Sequence, residues 1–211
     1  MFDGIIFDID GTIWDSTGRV EMAWNKALCE LGYDRRTDAA ELKGLFGLPM
    51  YDIFSSLVPG ISADKIEEFD KLCSKYEFEY LEEEGGIVYE GVNETIEALA
   101  KNHKIAIVSN CQSGYIELVM RKTGIGPFIS VHYCPGDTGL LKADNIKLAA
   151  KDLGLKNPVY VGDIEKDEIA SREAGVKFIH AAYGFGKAVS PDYTINRFSE
   201  LLDIPEIQEN I

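Results

Sequence analysis

Ile5-Ile6-Phe7-Asp8-Ile9-Asp10-Gly11-Thr12 decides how the rest of this chain is read. The apolar run suits a strand buried on both faces. Two carboxylates then appear two residues apart, and Gly11 breaks the pattern. Strand side chains alternate faces, so Asp8 and Asp10 are expected to point the same way. Two carboxylates at the end of a buried strand repel each other and are costly without a cation or a chemical role. Hard oxygen donors of this kind suit Mg²⁺. Capping of turns and helices is the other use open to a lone pair of this spacing.

Working outward, short apolar β-branched runs recur at Ile105–Val108, Ile129–Val131, Val159–Val161 and Val176–Ile179. Helix-like stretches separate the later ones. Strands alternating with helices predict an α/β fold, a Rossmann-like parallel sheet covered on both faces. Residues 15–85 break this rhythm with helical patterns alone. Ile66, Phe69, Cys73, Tyr76 and Tyr80 follow 3-4-3-4 spacing, one apolar helix face, with Ser62 or Asp64 as a cap. The expected organisation is therefore a core from 1–14 and 86–211, with a small helical cap, 15–85, inserted after the first strand.

Open α/β sheets bind ligands at the carboxyl ends of their strands. Asp8 and Asp10 end the first strand, Ser109-Asn110 end the second, and Gly162-Asp163 end the strand at 158–161. With Lys142 opening a helix and Asp167 four residues beyond Asp163, this set resembles the haloacid dehalogenase-like hydrolase superfamily. The similarity runs through four motifs in order. They are Asp8-Ile9-Asp10-Gly11-Thr12, the apolar strand ending in Ser109, Lys142, and Gly162-Asp163 through Asp167. The helical insert after strand one resembles the phosphoglycolate phosphatase-like and β-phosphoglucomutase-like branch.

The resemblance implies a chemistry that explains the residue types. Asp8 is the nucleophile that forms an aspartyl-phosphate. Asp10 is the general acid and later the base. Gly11, Thr12, Ser109, the Asn110 N–H and Lys142 bind phosphate, and Lys142 offsets charge on Asp8. Asp8, Asp163 and the Asp10 carbonyl hold Mg²⁺. Asp167 either joins them or orients Lys142, and as a first-turn acid it also suits the helix dipole. A second aspartate at position 10 points to phosphate esters rather than halides. Ile164 stands where similar phosphatases carry a small hydroxyl residue, and Ala143 where they often carry proline. The insert resembles a lid that selects a small substrate, with Arg35, Arg36, Lys43, Leu48 and Met50 as candidate contacts. Trp14 and Trp24 read as packing residues.

Composition narrows the alternatives. The chain has 211 residues, 45% hydrophobic and 10% aromatic, normal for a folded globular protein. Lys and Arg number 21 against 36 Asp and Glu, a net charge of −15, which disfavours nucleic acid and anionic membranes as partners. Residues 15–84 carry 8 basic and 16 acidic residues, so the insert is not a basic lid. No apolar stretch approaches the roughly 18 residues a membrane helix needs. Met1-Phe2-Asp3-Gly4 lacks the basic-then-apolar opening of a secretory signal. Cys29, Cys73, Cys111 and Cys134 are widely spaced and read as reduced thiols, with Cys111 a buried, inert one. The three histidines are scattered singly. The expectation is a cytoplasmic enzyme, a monomer or weak homodimer, acting on a small phosphorylated metabolite. Two other readings use the same residues: a β-phosphoglucomutase-like phosphotransferase, and a catalytically silent binding or regulatory protein.

Overall fold

Residues 1–46, 48 and 50–208 are described by the structure, a computed structural model; the Met50 side chain and residues 47, 49 and 209–211 lie outside the description. In chain order the elements are β1 (Gly4–Phe7), β2 (Trp14–Asp15), α1 (Thr17–Glu30), α2 (Ala39–Leu45), α3 (Met50–Leu57), α4 (Ala63–Glu83), β3 (Ile87–Val88), α5 (Val92–Leu99) and β4 (Lys104–Val108). They continue as α6 (Tyr115–Thr123), β5 (Val131–Tyr133), α7 (Pro135–Thr138), α8 (Lys142–Asp152), β6 (Pro158–Gly162), α9 (Glu165–Ala174), β7 (Lys177–Ala181), β8 (Tyr193–Ile195) and α10 (Pro205–Gln208). The chain divides into two compact units, Met1–Asp15 with Val88–Ile211, and Ser16–Ile87.

In the first unit, six strands form one sheet in the order β5-β4-β1-β6-β7-β8. All five neighbouring pairs in it are parallel, with Ile5 opposite Ile105 on one side and Val159 on the other. β1, Gly-Ile-Ile-Phe, is buried along its whole length, as a central strand covered on both faces must be. Alternation sorts its side chains. Ile6 joins Ala106, Val108, Tyr160 and Phe178 against Ala143, Ile146 and Ala149 of α8 and Ala170 of α9. Phe7 faces the other way and stacks on Phe198 at 5.4 Å between ring centroids. The strand order reverses at β1, with β4 and β5 to one side and β6, β7 and β8 to the other. The carboxyl end of β1 is therefore the topological switch point, the position at which such sheets bind ligands.

The strands expected at Ile5–Phe7, Ile105–Val108, Val159–Val161 and Val176–Ile179 are all present, the last one residue later. The expected strand at Ile129–Val131 lies instead at Val131–Tyr133. Gly126-Pro127-Phe128 forms a 3₁₀ turn that consumes the preceding residues, and Ile129 is its C-cap. The edge strand β8 carries no apolar run: only Ile195 of its three residues is buried.

Among the described residues of the second unit the regular elements are helices, apart from Ile87 at the start of β3. Its core gathers Val20, Trp24, Ala27 and Leu28 of α1, Leu42 of α2, Phe54 and Leu57 of α3, and Ile66, Phe69, Cys73 and Tyr76 of α4. The last four begin the stripe read from sequence, its fifth member Tyr80 is partly buried against them, and Ser62 occupies the N-cap position of α4 without a side-chain capping bond. Phe54 and Phe69 lie 4.4 Å apart, and Trp24 packs on both at 5.6 and 6.3 Å. Trp24 also donates its indole N–H to Glu77, which satisfies a buried carboxylate on α4.

Candidate active site

Asp8 follows directly on β1 and keeps the parity of Ile6, so it faces the α8 side of the sheet. Its N–H donates to the Val161 carbonyl at 2.9 Å, one more rung of the β1–β6 ladder. Lys142 is the first residue of α8, and only 8% of its surface is exposed. Its ammonium donates to Asp8 Oδ1 at 2.8 Å and to Asp167 Oδ1 at 2.6 Å. A cation is disfavoured at a helix N-terminus, and here two carboxylates supply the compensation. Burial works against the ammonium, but Asp167 and Asp8 outweigh it and hold its pKa well above the ordinary lysine value.

Asp167 serves a second purpose with its other oxygen. Oδ2 accepts from the N–H groups of Asp163 at 3.1 Å and Ile164 at 3.3 Å. Ile164 is the N-cap of α9 and has no side-chain acceptor, so the third residue of the helix reaches back to cap it. Asp167 is thus both the first-turn acid of α9 and the group that orients Lys142.

Asp163, at 1% exposure, closes the group. Carboxylate oxygens of Asp8, Asp163 and Asp167 all lie within 4.8 Å of one another. Burial pushes Asp8 up to about 6, against the pull of Lys142, with Asp167 adding repulsion and Ser109 opposing it through a hydrogen bond. Asp163 is pushed up to about 8, by burial first and then by the carboxylates of Asp167 and Asp8. One lysine does not neutralise three buried acids. Three hard oxygen donors with this unmet demand for positive charge fit a divalent cation such as Mg²⁺. Backbone approaches Asp163 closely from two sides. A Cβ at Gly11, where φ is +83°, would stand 2.0 Å from its Oδ2, and one at Gly184 would stand 2.4 Å from its Cβ. Phe185 N–H donates to the same Oδ2 at 2.7 Å.

Asp10 is placed differently. β1 ends at Phe7, so alternation no longer sets its direction. A tight turn brings Trp14 back, with the Gly11 N–H donating to the Trp14 carbonyl at 2.9 Å and the Thr12 N–H to the Ile9 carbonyl at 3.0 Å. Asp10 Oδ1 accepts from Tyr115 Oη at 2.8 Å and from Trp14 Nε1 at 3.1 Å. Gly11 and Thr12, expected to bind phosphate, therefore have their backbone donors committed to the turn. The Thr12 hydroxyl is buried without a hydrogen-bond partner. Ser109 is buried at the end of β4 beside Asp8, and Asn110 next to it is exposed.

The structure thus brings together Asp8, Ser109, Lys142, Asp163 and Asp167. Three residues escaped sequence reasoning: Tyr115, Trp14 as a donor rather than mere packing, and Tyr160. The Tyr160 hydroxyl donates to the Val108 carbonyl at 2.7 Å, and its ring lies 5.7 Å from the Lys142 ammonium. All three are aromatics that sequence patterning assigns to the core, where they also are. In the helical unit, Arg35 donates to the carbonyls of Leu57 and Arg36 and to Glu41, and Arg36 to those of Tyr33 and Arg35. Lys43 lies in the last turn of α2, and Leu48 packs against the unit's core. The side chain of Met50 falls outside the described residues. The four cysteines are free thiols, and the thiol of Cys134 together with burial pushes that of Cys111 up.

Comparison with known proteins agrees with this geometry. The family model for haloacid dehalogenase-like hydrolases matches residues 5–181. A phosphoglycolate phosphatase of Aquifex aeolicus is 30% identical over 95% of both chains, and one of Photobacterium profundum is 28% identical over 98% of both. A solved haloacid dehalogenase-like hydrolase of Streptococcus pneumoniae superposes with a TM-score of 0.85 at 23% identity, covering 95% of this chain and 97% of that one. The chain belongs to the haloacid dehalogenase-like hydrolase family, in its phosphoglycolate phosphatase-like branch. Among the described residues no helix is long and apolar enough to cross a membrane.

Proposed function

We propose that this protein is a Mg²⁺-dependent phosphatase that hydrolyses the phosphate monoester of a small metabolite, phosphoglycolate or a close analogue, through an aspartyl-phosphate on Asp8. The observation that carries the reading is the buried bridge from Asp8 through Lys142 to Asp167 beside Asp163 at the carboxyl end of β1. The phosphoglycolate phosphatases of Aquifex and Photobacterium, matched along nearly their whole length, support the substrate class.

Asp8, Asp163 and Asp167 are the carboxylates that would hold Mg²⁺, with the Asp10 carbonyl as a further donor. When bound, the ion supplies positive charge for the phosphoryl oxygens as they gather in the transition state. Lys142 fixes the orientation of Asp8 by its bond to Oδ1 and keeps a positive charge at the site through the reaction. A carboxylate with its pKa raised to about 6 is ionised at neutral pH yet more basic than an exposed aspartate, which suits a nucleophile. Ser109 and the Asn110 N–H, at the end of the neighbouring strand, would take phosphoryl oxygens. Asp10 gives its proton to the leaving oxygen and then takes one from the attacking water.

The test is phosphate release from a panel of small phosphate monoesters and pyrophosphate, with Mg²⁺ and with EDTA. Release that requires Mg²⁺ is expected, with phosphoglycolate among the preferred esters. No release from any member, or full release in EDTA, would contradict the reading.

A further inference from the structure

Asp10 is held by two donors on the same oxygen. Tyr115 is the first residue of α6, set by Gly114, whose left-handed φ of 85° turns the chain into the helix. Its hydroxyl reaches Asp10 Oδ1 at 2.8 Å. Trp14, fully buried, reaches the same atom with Nε1 at 3.1 Å. The two rings hold each other edge to face, 6.0 Å apart at 72°. Tyr115 is only 4% exposed, so its hydroxyl has little water to turn to. Two residues distant in sequence therefore converge on one carboxyl oxygen, the tryptophan that opens β2 and the tyrosine that opens α6, and they pack against each other.

We propose that Tyr115, together with Trp14, is a positioning residue for the proton transfer by Asp10. The inference rests on the phosphatase reading above and adds a direction to it. Two donors on one oxygen favour the proton on the other, because protonating the first oxygen weakens it as an acceptor. Oδ1 is the anchored atom, and Oδ2 is the one that exchanges protons. In the first half-reaction an Asp8 oxygen bonds to phosphorus, the ester P–O bond breaks, and the Oδ2 proton passes to the departing oxygen to give the alcohol. In the second, a water oxygen bonds to phosphorus, the Asp8–phosphorus link breaks, and Oδ2 takes back a proton from that water. Atoms and charge balance with no further reactant. The gain is orientational: a proton donor fixed in place transfers more effectively than one free to rotate.

Leaving-group dependence separates this role from simple packing. An alkyl phosphate needs a proton on its departing oxygen, whereas an aryl phosphate with an acidic phenol does not. Tyr115→Phe keeps the ring and removes only the donor. On kcat/KM, which reads the steps up to release of the alcohol, the variant is expected to lose about tenfold with alkyl phosphates, a part of what general acid catalysis contributes. With p-nitrophenyl phosphate it should stay within about twofold of the native chain, since no proton is required there. Trp14→Phe removes the other donor and should show the same selectivity, so the question remains open to test if one variant folds poorly. Equal losses on both ester classes, or no loss on either, would overturn the positioning role and leave the phosphatase reading in place. A native chain that hydrolyses neither ester would overturn the phosphatase reading and the positioning role with it.

Discussion

Three carboxylates buried around one lysine are the least ordinary feature at the scale of single residues. The raised pKa values of Asp8 and Asp163 have a consequence for metal binding. A carboxyl group whose folded pKa is raised holds its proton more tightly than it does in the unfolded chain. Between the unfolded value, near 4, and the folded value, about 8 for Asp163, the metal-free protein loses stability as pH rises. A cation must displace that proton, so Mg²⁺ binding and protonation compete. At pH 6.5 binding is expected to release roughly one proton per ion, mostly from Asp163. Affinity should climb about tenfold per pH unit from 6 to 8 and level off above. Calorimetric titration in buffers of different ionisation enthalpy reads both. A dissociation constant that does not move with pH over this range would contradict the assigned electrostatics.

Sequence reasoning located the charged groups at this scale because their polarity stands out against apolar strands. Asp8, Lys142 and Asp163 each end or begin an element, where patterning is sharpest. Tyr115, Trp14 and Tyr160 were not legible for the opposite reason. Each is an aromatic residue among apolar neighbours, and its hydroxyl or indole N–H acquires meaning only from residues distant in sequence. Tyr160 and Val108, or Tyr115 and Asp10, meet only after the strands have paired. Position 12 shows the converse. Thr12 lies within a recognisable motif, yet the turn that builds the motif takes up its N–H.

Elements come next. α4 was legible along its length because its stripe has a helical period and no competing strand pattern. β5 slipped by two residues because Gly126-Pro127-Phe128 form a turn of their own. β8 was invisible, since an edge strand of three residues, one buried, leaves little imprint. In the helical unit the aromatic triad of Trp24, Phe54 and Phe69 predicts where stability resides. Phe69 is fully buried, and its replacement by alanine should cost about 3–5 kcal/mol. Calorimetric unfolding of Phe69→Ala is expected to show the helical unit melting at a lower temperature. A loss below about 1 kcal/mol would mean that the site collapses to fill the cavity. Arg35 and Arg36 illustrate how charge misleads at this scale. Two adjacent arginines look like an anion site in sequence, but most of their bonds go to carbonyls that stitch the unit's own loops.

For the whole molecule, the strand order converts scattered motifs into one site. β1 lies at the centre, and its neighbours β4 and β6 deliver Ser109 and Asp163 to either side of Asp8. α8 runs back along the face that carries Asp8, which is why the lysine opening that helix reaches the aspartate ending that strand. The net charge of −15 makes the surface unwelcoming to an anion. Attraction for a phosphate ester must therefore be local, from Lys142 and the cation that three carboxylates call for. The proposed mechanism turns on phosphorylation of Asp8. Rapid quenching of turnover on a preferred ester, followed by borohydride reduction and peptide mass analysis, tests it most directly. The expected result is an acyl phosphate on Asp8 that forms and decays as fast as turnover, persists longer in Asp10→Asn, and is missing along with activity in a folded Asp8→Asn. Turnover at the native rate in Asp8→Asn, or a phosphoryl group trapped on any other residue, would contradict it.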